Sequence, residues 1–472
     1  MVLERSAAEM AKMIRTREIS SEELITAHLQ QIRQINPAIN AVVYLLEHSA
    51  VPQAREADKM LAAGEAIGPL HGVPFSIKDS IDVAGTKSTA GTLGRKNAQA
   101  ADRDATLVAR LRAAGAIPIA KTNLPDLLFS FETDNLIHGR TNNPYDLSRT
   151  PGGSSGGESA LIAACGSPLG LGSDAFGSVR VPAAFCGIVS IKPTSGRLPR
   201  TGHVPPPGGW IEALWQIGPM ARYTEDLVLA MHLLAGEDGE DFTTPPVELI
   251  EPADLRDRRI AFFTYNGFAR CAPEIENAVR RCAEYLSREG IHVEERTPPS
   301  VDQAYELEFA LFGADAGDGI DEYLRDTGST SVHVLHRSFV ARMRPYRASG
   351  YELAKRWAQW DEYRSNLAKF FSEYDAILCP VYTQTALKHR DSLDDENFRG
   401  FSYTMAWNLA RAPAATVRCG EFEGLPVNVQ VVTKPWRDLF ALEICRLIEA
   451  EFGGWKSPGE ACLAPTIFMA HS

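Results

Sequence analysis

The sequence predicts an α/β fold built on a large sheet. Three observations carry this. Val73-Pro74-Phe75-Ser76-Ile77 and Ala116-Ile117-Pro118-Ile119-Ala120-Lys121 read as short apolar strands, and Thr106–Ala114 between them reads as a helix. Strand, helix and strand in that order pair in parallel within one sheet. Strands and helices alternate again toward the C-terminus. The chain has 472 residues, 44% of them apolar and 23% charged, enough for one large α/β domain or two or three smaller ones.

Taken in order, residues 6–35 read as two helices. Ser20-Ser21-Glu22-Glu23 forms a capping box, and Leu24, Ile25, His28, Leu29 and Ile32 follow at helical spacing. Asn36-Pro37 is expected to stop the second helix. Ala41–Leu45 is a strand and Ala54–Gly64 a helix; Gly68–Lys78 runs extended, its apolar strand delivering Lys78. A lysine at the end of such a strand is partly desolvated, which lowers its pKa and allows a neutral amine base. Lys121 ends a strand too and is the other candidate base. Ala160–Leu171 suits a buried small-residue helix, and Leu227–Ala235 is a further helix. Glu237–Ala253 is a Gly/Pro/acidic connection. Arg258–Phe263, Ile291–Glu295, Ala376–Pro380, Ala415–Arg418 and Leu425–Val432 are strands, and Pro273–Glu289, Tyr351–Tyr374 and Leu439–Phe452 are helices. Residues 299–350 carry Gly and Asp clusters with no readable period.

A net charge of −12 argues against binding nucleic acid or anionic membranes. No run of apolar residues is long enough to span a bilayer, and the N-terminal residues lack the apolar core of a signal peptide. The eight cysteines are scattered with no Cys-x-x-Cys pair, which speaks against a zinc ribbon or a dithiol motif. Free buried thiols and a cytoplasmic setting are the simplest reading.

The stretch that carries chemistry is Thr150–Pro193. It holds two Gly/Ser loops, Gly152-Gly153-Ser154-Ser155-Gly156-Gly157 and Asp174-Ala175-Phe176-Gly177-Ser178-Val179-Arg180. Glycines let backbone approach a ligand closely, and runs of N–H groups in such loops can face an oxyanion. A lone Gly/Ser cluster is ordinarily a linker, but the segment between these two is too apolar for a solvated tether. The first loop lacks the Gly-Lys-Ser/Thr ending of a phosphate loop. Its Gly153-Ser154-Ser155-Gly156-Gly157 matches the nucleophile elbow of α/β-hydrolases in form. The residues before it, Asn142–Pro151, are turn formers and do not supply the strand that elbow requires.

The stretch resembles the amidase signature family, whose members carry Gly-Gly-Ser-Ser-Gly-Gly, a small-residue run, then Gly-Gly-Ser-Ile-Arg. The match continues in Gly68–Asp79, in Ala184-Phe185-Cys186-Gly187, in Lys192-Pro193-Thr194 and in Ile217–Arg222. The wording of 151–187 is most similar to the fatty-acid-amide-hydrolase-like branch. The resemblance implies a single domain over 1–472, with N-terminal helices at 6–65, a catalytic core at 68–235 and a variable substrate-pocket region at 299–374. It implies a large mixed central sheet sandwiched between helical layers, and a Ser–cis-Ser–Lys triad. Carried over, Ser178 is the nucleophile, Ser154 the bridging serine on a cis peptide, and Lys78 the base. Backbone N–H groups of Ala175, Phe176, Gly177 and Ser178 are the oxyanion donors. Ser155, Asp174 and Arg180 support the site, and no metal or cofactor is required. The expected activity is hydrolysis of a carboxylic amide through a Ser178 acyl-enzyme. The expected partner is a small-molecule amide, with no nucleic acid and no membrane span, and a homodimer is left open.

Two positions depart from the family pattern, which has Gly, rarely Ala, where Phe176 stands and commonly Gly where Arg411 stands. With φ negative at 176, the phenyl ring would narrow the site; with φ positive, strain would be stored in the oxyanion loop. Two alternatives stand beside the amidase. One is the amide-releasing subunit of a tRNA-dependent amidotransferase. The other is a weakened, acyl-binding homologue, motivated by Phe176.

Overall fold

The computed structural model describes residues 2–252, 254–256 and 258–459. Its frame is one mixed sheet of eleven strands. In chain order these are β1 (Val42–Leu45), β2 (Pro74–Lys78), β3 (Ile117–Thr122), β4 (Leu169–Asp174), β5 (Val189–Lys192), β6 (Gln216–Ala221), β7 (Arg259–Phe262), β8 (His292–Glu295), β9 (Ala376–Pro380), β10 (Ala414–Phe422) and β11 (Leu425–Thr433). The spatial order is β1-β3-β2-β4-β6-β5-β10-β11-β9-β7-β8. β2 lies parallel to both β3 and β4, as the strand–helix–strand reading requires. β7 likewise lies parallel to β8 and β9. The pairings of β4, β5 and β10 with their other neighbours are antiparallel. Every residue of β2, β3, β4, β5, β6, β9 and β11 is buried. A strand with both faces buried needs helices on both sides of the sheet. This is the α/β architecture with a large mixed sheet between helical layers.

Several boundaries differ from the sequence reading. The second N-terminal helix, Ser21–Ile39, runs through Pro37 and ends at Asn40, whose φ is 47°. Proline removes one donor, yet the Asn40 N–H still reaches the Asn36 carbonyl, while the Asn36 side chain takes the Ala41 and Val42 N–H groups. The next helix begins earlier than expected, at Glu47, and carries Pro52 inside it.

The largest correction falls on Ala160–Leu171. The helix there is Gly156–Ala163; Cys165 then turns at φ 61°, and the remainder becomes β4. Gly166-Ser167-Pro168 breaks the helix, because proline cannot continue it. The two Gly/Ser loops are therefore the two ends of a helix–turn–strand unit: the first opens the helix and the second leaves β4.

Residues 299–350 form three helices, Ala304–Phe312, Asp318–Asp326 and Val334–Met343. The long helix Gly350–Glu373 follows. It packs its Trp360 and Tyr363 against Ser402–Leu409, donating to the carbonyls of Leu409 and Ala406. Seven cysteines are buried free thiols; Cys462 and Ala253 lie outside the described residues. Among the described residues no helix is long and apolar enough to cross a membrane.

Candidate active site

β2 and β4 are neighbours, so their C-terminal ends stand side by side. β2 ends in Lys78 and β4 in Ser173-Asp174. The helix opened by the first loop packs over both strands and places Ser154 beside them. The Gly153–Ser154 peptide is cis. Lys78 Nζ lies 2.7 Å from Ser154 Oγ and 3.1 Å from Ser173 Oγ. The Ser155 N–H donates to the Ser178 carbonyl at 3.1 Å, which ties the two loops together. Ser154 and Ser178 both line one pocket, with Ser173, Asp174, Ala175 and Phe176.

Lys78 is fully buried, and that burial pulls its pKa down to about 7 against the pull of Asp174 and Glu158. Glu158, on the helix behind Ser154, accepts hydrogen bonds from Ser76 and Thr122; burial raises its pKa to about 7. Burial thus draws both groups away from their charged forms, and no ion pair within 4 Å joins them. Lys121 has a different environment. It is paired with Asp79 at 2.9 Å and donates to Lys87 O and Ser88 Oγ. Those bonds occupy the ammonium as a structural cross-link, and it does not line the pocket.

The turn after β4 is held from two sides. Asp174 accepts the Gly177 and Val179 N–H groups at 2.9 and 3.1 Å and takes Arg180 in a two-point pair. Burial alone would raise this carboxyl, but Arg180 and these bonds hold it down at about 2. From behind, the helix Ser402–Leu409 presses Thr404 and Asn408 against the turn. Thr404 Oγ1 donates to Phe176 O at 2.6 Å, and Asn408 Nδ2 to Asp174 Oδ1 at 3.1 Å. Gly177 has φ 130°, and a Cβ there would stand 2.3 Å from Thr404 Oγ1, so only glycine fits. With the Gly177 N–H engaged by Asp174, the N–H groups of Ala175, Phe176 and Ser178 have no acceptor among the described residues.

Phe176 does not lie among the residues of positive φ. Its backbone is therefore unstrained, and the ring is what matters. The ring is buried, 4.5 Å from Phe312, 5.5 Å from Phe309 and 5.3 Å edge-on to Phe339. All three partners come from the stretch that has no readable pattern in the sequence. Phe176, Phe312 and Phe339 line the pocket together with Phe129, Phe131, Leu127 and Trp215. The long helix Gly350–Glu373 lies behind and contributes none of the lining.

The sequence reading did not single out Ser173, His203 or Ser80. His203 is buried and lines the pocket. Its Nδ1 lies 2.9 Å from the Pro205 carbonyl, which can only accept. Nε2 is therefore the acceptor, 3.1 Å from Ser173 Oγ and 3.2 Å from Ser80 Oγ. Burial drives the His203 pKa down to about 3, so the ring is neutral near pH 7. A continuous chain of polar contacts thus runs Ser154–Lys78–Ser173–His203. No motif flags His203, which sits in Gly202-His203-Val204-Pro205-Pro206-Pro207, a stretch that reads as loop.

Comparison with known proteins places the chain in a family. The sequence profile of the amidase family matches residues 23–442, and the chain belongs to that family. It is 33% identical to a glutamyl-tRNA(Gln) amidotransferase subunit of Roseiflexus castenholzii, over 93% of this chain and 94% of that one. It is 30% identical to fatty-acid amide hydrolase 2-A of Danio rerio, over 98% of this chain and 91% of that one. Among solved structures, a 6-aminohexanoate cyclic dimer hydrolase aligns with a TM-score of 0.86 at 26% identity, covering 97% of this chain and 99% of that chain. These likenesses do not choose between a hydrolase and an amidotransferase component; the pocket bears on that choice.

Proposed function

We propose that the protein is a stand-alone serine amidase for small, neutral, apolar amides. The observation that carries the chemistry is the 2.7 Å contact between a fully buried Lys78 and Ser154 at a pocket that Ser178 also lines. Ser178 Oγ attacks the amide carbonyl carbon. Its proton passes to Ser154 Oγ as the Ser154 proton passes to the neutral Lys78 amine. The N–H groups of Ala175, Phe176 and Ser178 take the developing oxyanion; that of Gly177, expected among the donors, is instead spent on Asp174. The tetrahedral species collapses, the C–N bond breaks, and the proton returns through Ser154 to the departing amine. Water then attacks the acyl-enzyme by the same relay, releasing the acid. Asp174 and Arg180 hold the turn, and Ser155 joins the two loops.

The pocket favours this reading over an amidotransferase component. Glutamine would bring a carboxylate and an ammonium. Among the described lining residues there is no lysine or arginine, and the one carboxylate, Asp174, is already paired with Arg180. A charged ligand there would be desolvated without a partner. The space inside is about 130 Å³, close to the roughly 150 Å³ cavity that accepts a benzene. An aryl-sized group is therefore the expected fit. The buried free thiols agree with a cytoplasmic setting.

The test is a matched series of short, aryl and long-chain amides. Hydrolysis should peak at aryl-sized neutral acyl groups and be absent with glutamine. Phe176→Gly should move the kcat/KM optimum toward bulkier amides while Ser178 labelling by a fluorophosphonate persists. Its stability should fall by about 3–5 kcal/mol in urea melts, the usual cost of deleting a buried ring. An unchanged order of preference would show that the ring does not face substrate; a large general gain in kcat would support the weakened-enzyme reading.

His203 is a positioning residue in this scheme, orienting the Ser173 hydroxyl that meets Lys78. A hydrogen bond of this kind is worth about 0.5–1.5 kcal/mol net. His203→Ala should then lower kcat roughly 3- to 10-fold, since each 1.36 kcal/mol is tenfold. It should also displace the pH–rate limb, with His203→Gln restoring part of it through an amide oxygen. An unmoved limb in both variants would leave His203 a packing residue only.

A further inference from the structure

A second pocket lies beyond the C-terminal end of the helix Ser402–Leu409, outside the catalytic relay. Its space is about 530 Å³, within the range of roughly 300–1,000 Å³ typical of ligand sites. Its polar rim is basic. Arg364, Arg411 and Lys434 line it, on a chain whose net charge is −12. Its floor is apolar, with Leu367, Phe371 and Trp436. Arg364 is paired with Asp361. Arg411 and Lys434 have no ion pair among the described residues, and Glu212, the acid nearest in effect to Arg411, is paired with Arg200. Arg411 is half-buried, and burial pulls its guanidinium below the ordinary arginine value, with Arg364 and Arg200 adding to the effect.

Two backbone observations make this a site rather than a solvated face. Arg411 stands at φ 55°, where glycine is the unstrained choice. Its carbonyl accepts the Ser195 N–H at 3.3 Å, which fixes the turn from which the side chain enters the pocket. Trp436 is likewise placed at positive φ, 73°, its N–H donating to Thr194 Oγ1 at 2.8 Å and its ring lying 4.6 Å from the Arg197 guanidinium. The indole of Trp436 and the guanidinium of Arg411, which has no ion pair among the described residues, line the same cavity and offer it an apolar ring and a forked donor. Guanidinium forks match carboxylate and phosphate oxygens in geometry.

We propose that this pocket, lined by Arg411, Lys434 and Trp436, is a binding site for an aryl carboxylate or aryl phosphate, separate from the catalytic pocket. Benzoate and phenyl phosphate are the probes, titrated by calorimetry into the full-length protein, with inorganic phosphate as the comparison. Both aryl anions should bind, and raising salt should weaken them. Arg411→Gly suits the backbone and should fold normally; it should raise the dissociation constant at least tenfold while leaving amide turnover unchanged. Arg411→Lys should restore part of the affinity, and Lys434→Ala should weaken it. Equal affinity in wild type and Arg411→Gly, or no binding of either aryl anion by wild type, would overturn the site. Inorganic phosphate binding as tightly as phenyl phosphate would overturn the aryl half of the assignment.

Discussion

Ser178→Ala is expected to bring amide and ester hydrolysis down to background, a loss on the order of 10⁶-fold in kcat, as for removal of a catalytic serine elsewhere. The size follows from the chemistry. An amide is a poor electrophile, and without the serine oxygen the proposed relay has no nucleophile to activate. The fold should be untouched. The Ser178 side chain makes no hydrogen bond to a described residue, while its carbonyl keeps the Ser155 N–H and the turn keeps Asp174, Arg180 and Thr404. Thermal melts of wild type and variant should therefore coincide. Turnover in the variant within tenfold of wild type would remove Ser178 as nucleophile. It would leave Ser154 and Ser173, which also line the pocket and contact Lys78, as the serines to test next.

Lys78→Ala carries the second largest effect. General acid–base catalysis by a placed group contributes about 10²–10⁴-fold, so amide kcat/KM should fall by about 10³-fold. A matched ester should lose less, about tenfold by the same principle, because its leaving group needs little protonation. The pH profile gives the sign. In the proposed relay the base works as the neutral amine, and burial holds Lys78 at about 7. Below that pH the lysine is protonated and log(kcat/KM) should climb with unit slope; above it the rate should reach a plateau. A lysine at its ordinary value of about 10.4 would put that limb more than three units higher. The limb should vanish in Lys78→Ala. Equal small losses on amide and ester, or a limb that persists, would contradict the role given to Lys78.

The end of β2 and the loop that follows β4 were legible for a physical reason, although β4 itself read as part of a helix. Functional loops must contain residues that ordinary packing would not choose, such as the glycine at 177 and the serines around it. Lys78 stood out likewise as a charge closing an apolar strand. The order of those elements was harder. Ala160–Leu171 is apolar and small throughout, so its burial has no period, and only Gly166-Ser167-Pro168 divides helix from strand. β5 and β6 escaped notice for the same cause, being buried on both faces. In 299–350 the Gly and Asp clusters masked real helices. Phe309 and Phe312, three apart on one face, were the available signal for the wall around Phe176. Nothing local could have announced His203, since its partners Ser80 and Ser173 lie 123 and 30 residues away in sequence.

Acylation of Ser178 is the step on which the proposed hydrolysis rests. Trypsin would release residues 150–180 as one peptide, which holds Ser154, Ser155, Ser159, Ser167, Ser173 and Ser178. The direct measurement is fragmentation of that peptide by tandem mass spectrometry after quenching a turnover mixture in acid, with a fluorophosphonate-treated sample beside it. The acyl mass and the phosphonyl mass should both fall on Ser178. An adduct on Ser154 or on any other residue, or turnover with no acyl mass on the peptide in quenched samples while hydrolysis proceeds, would contradict it.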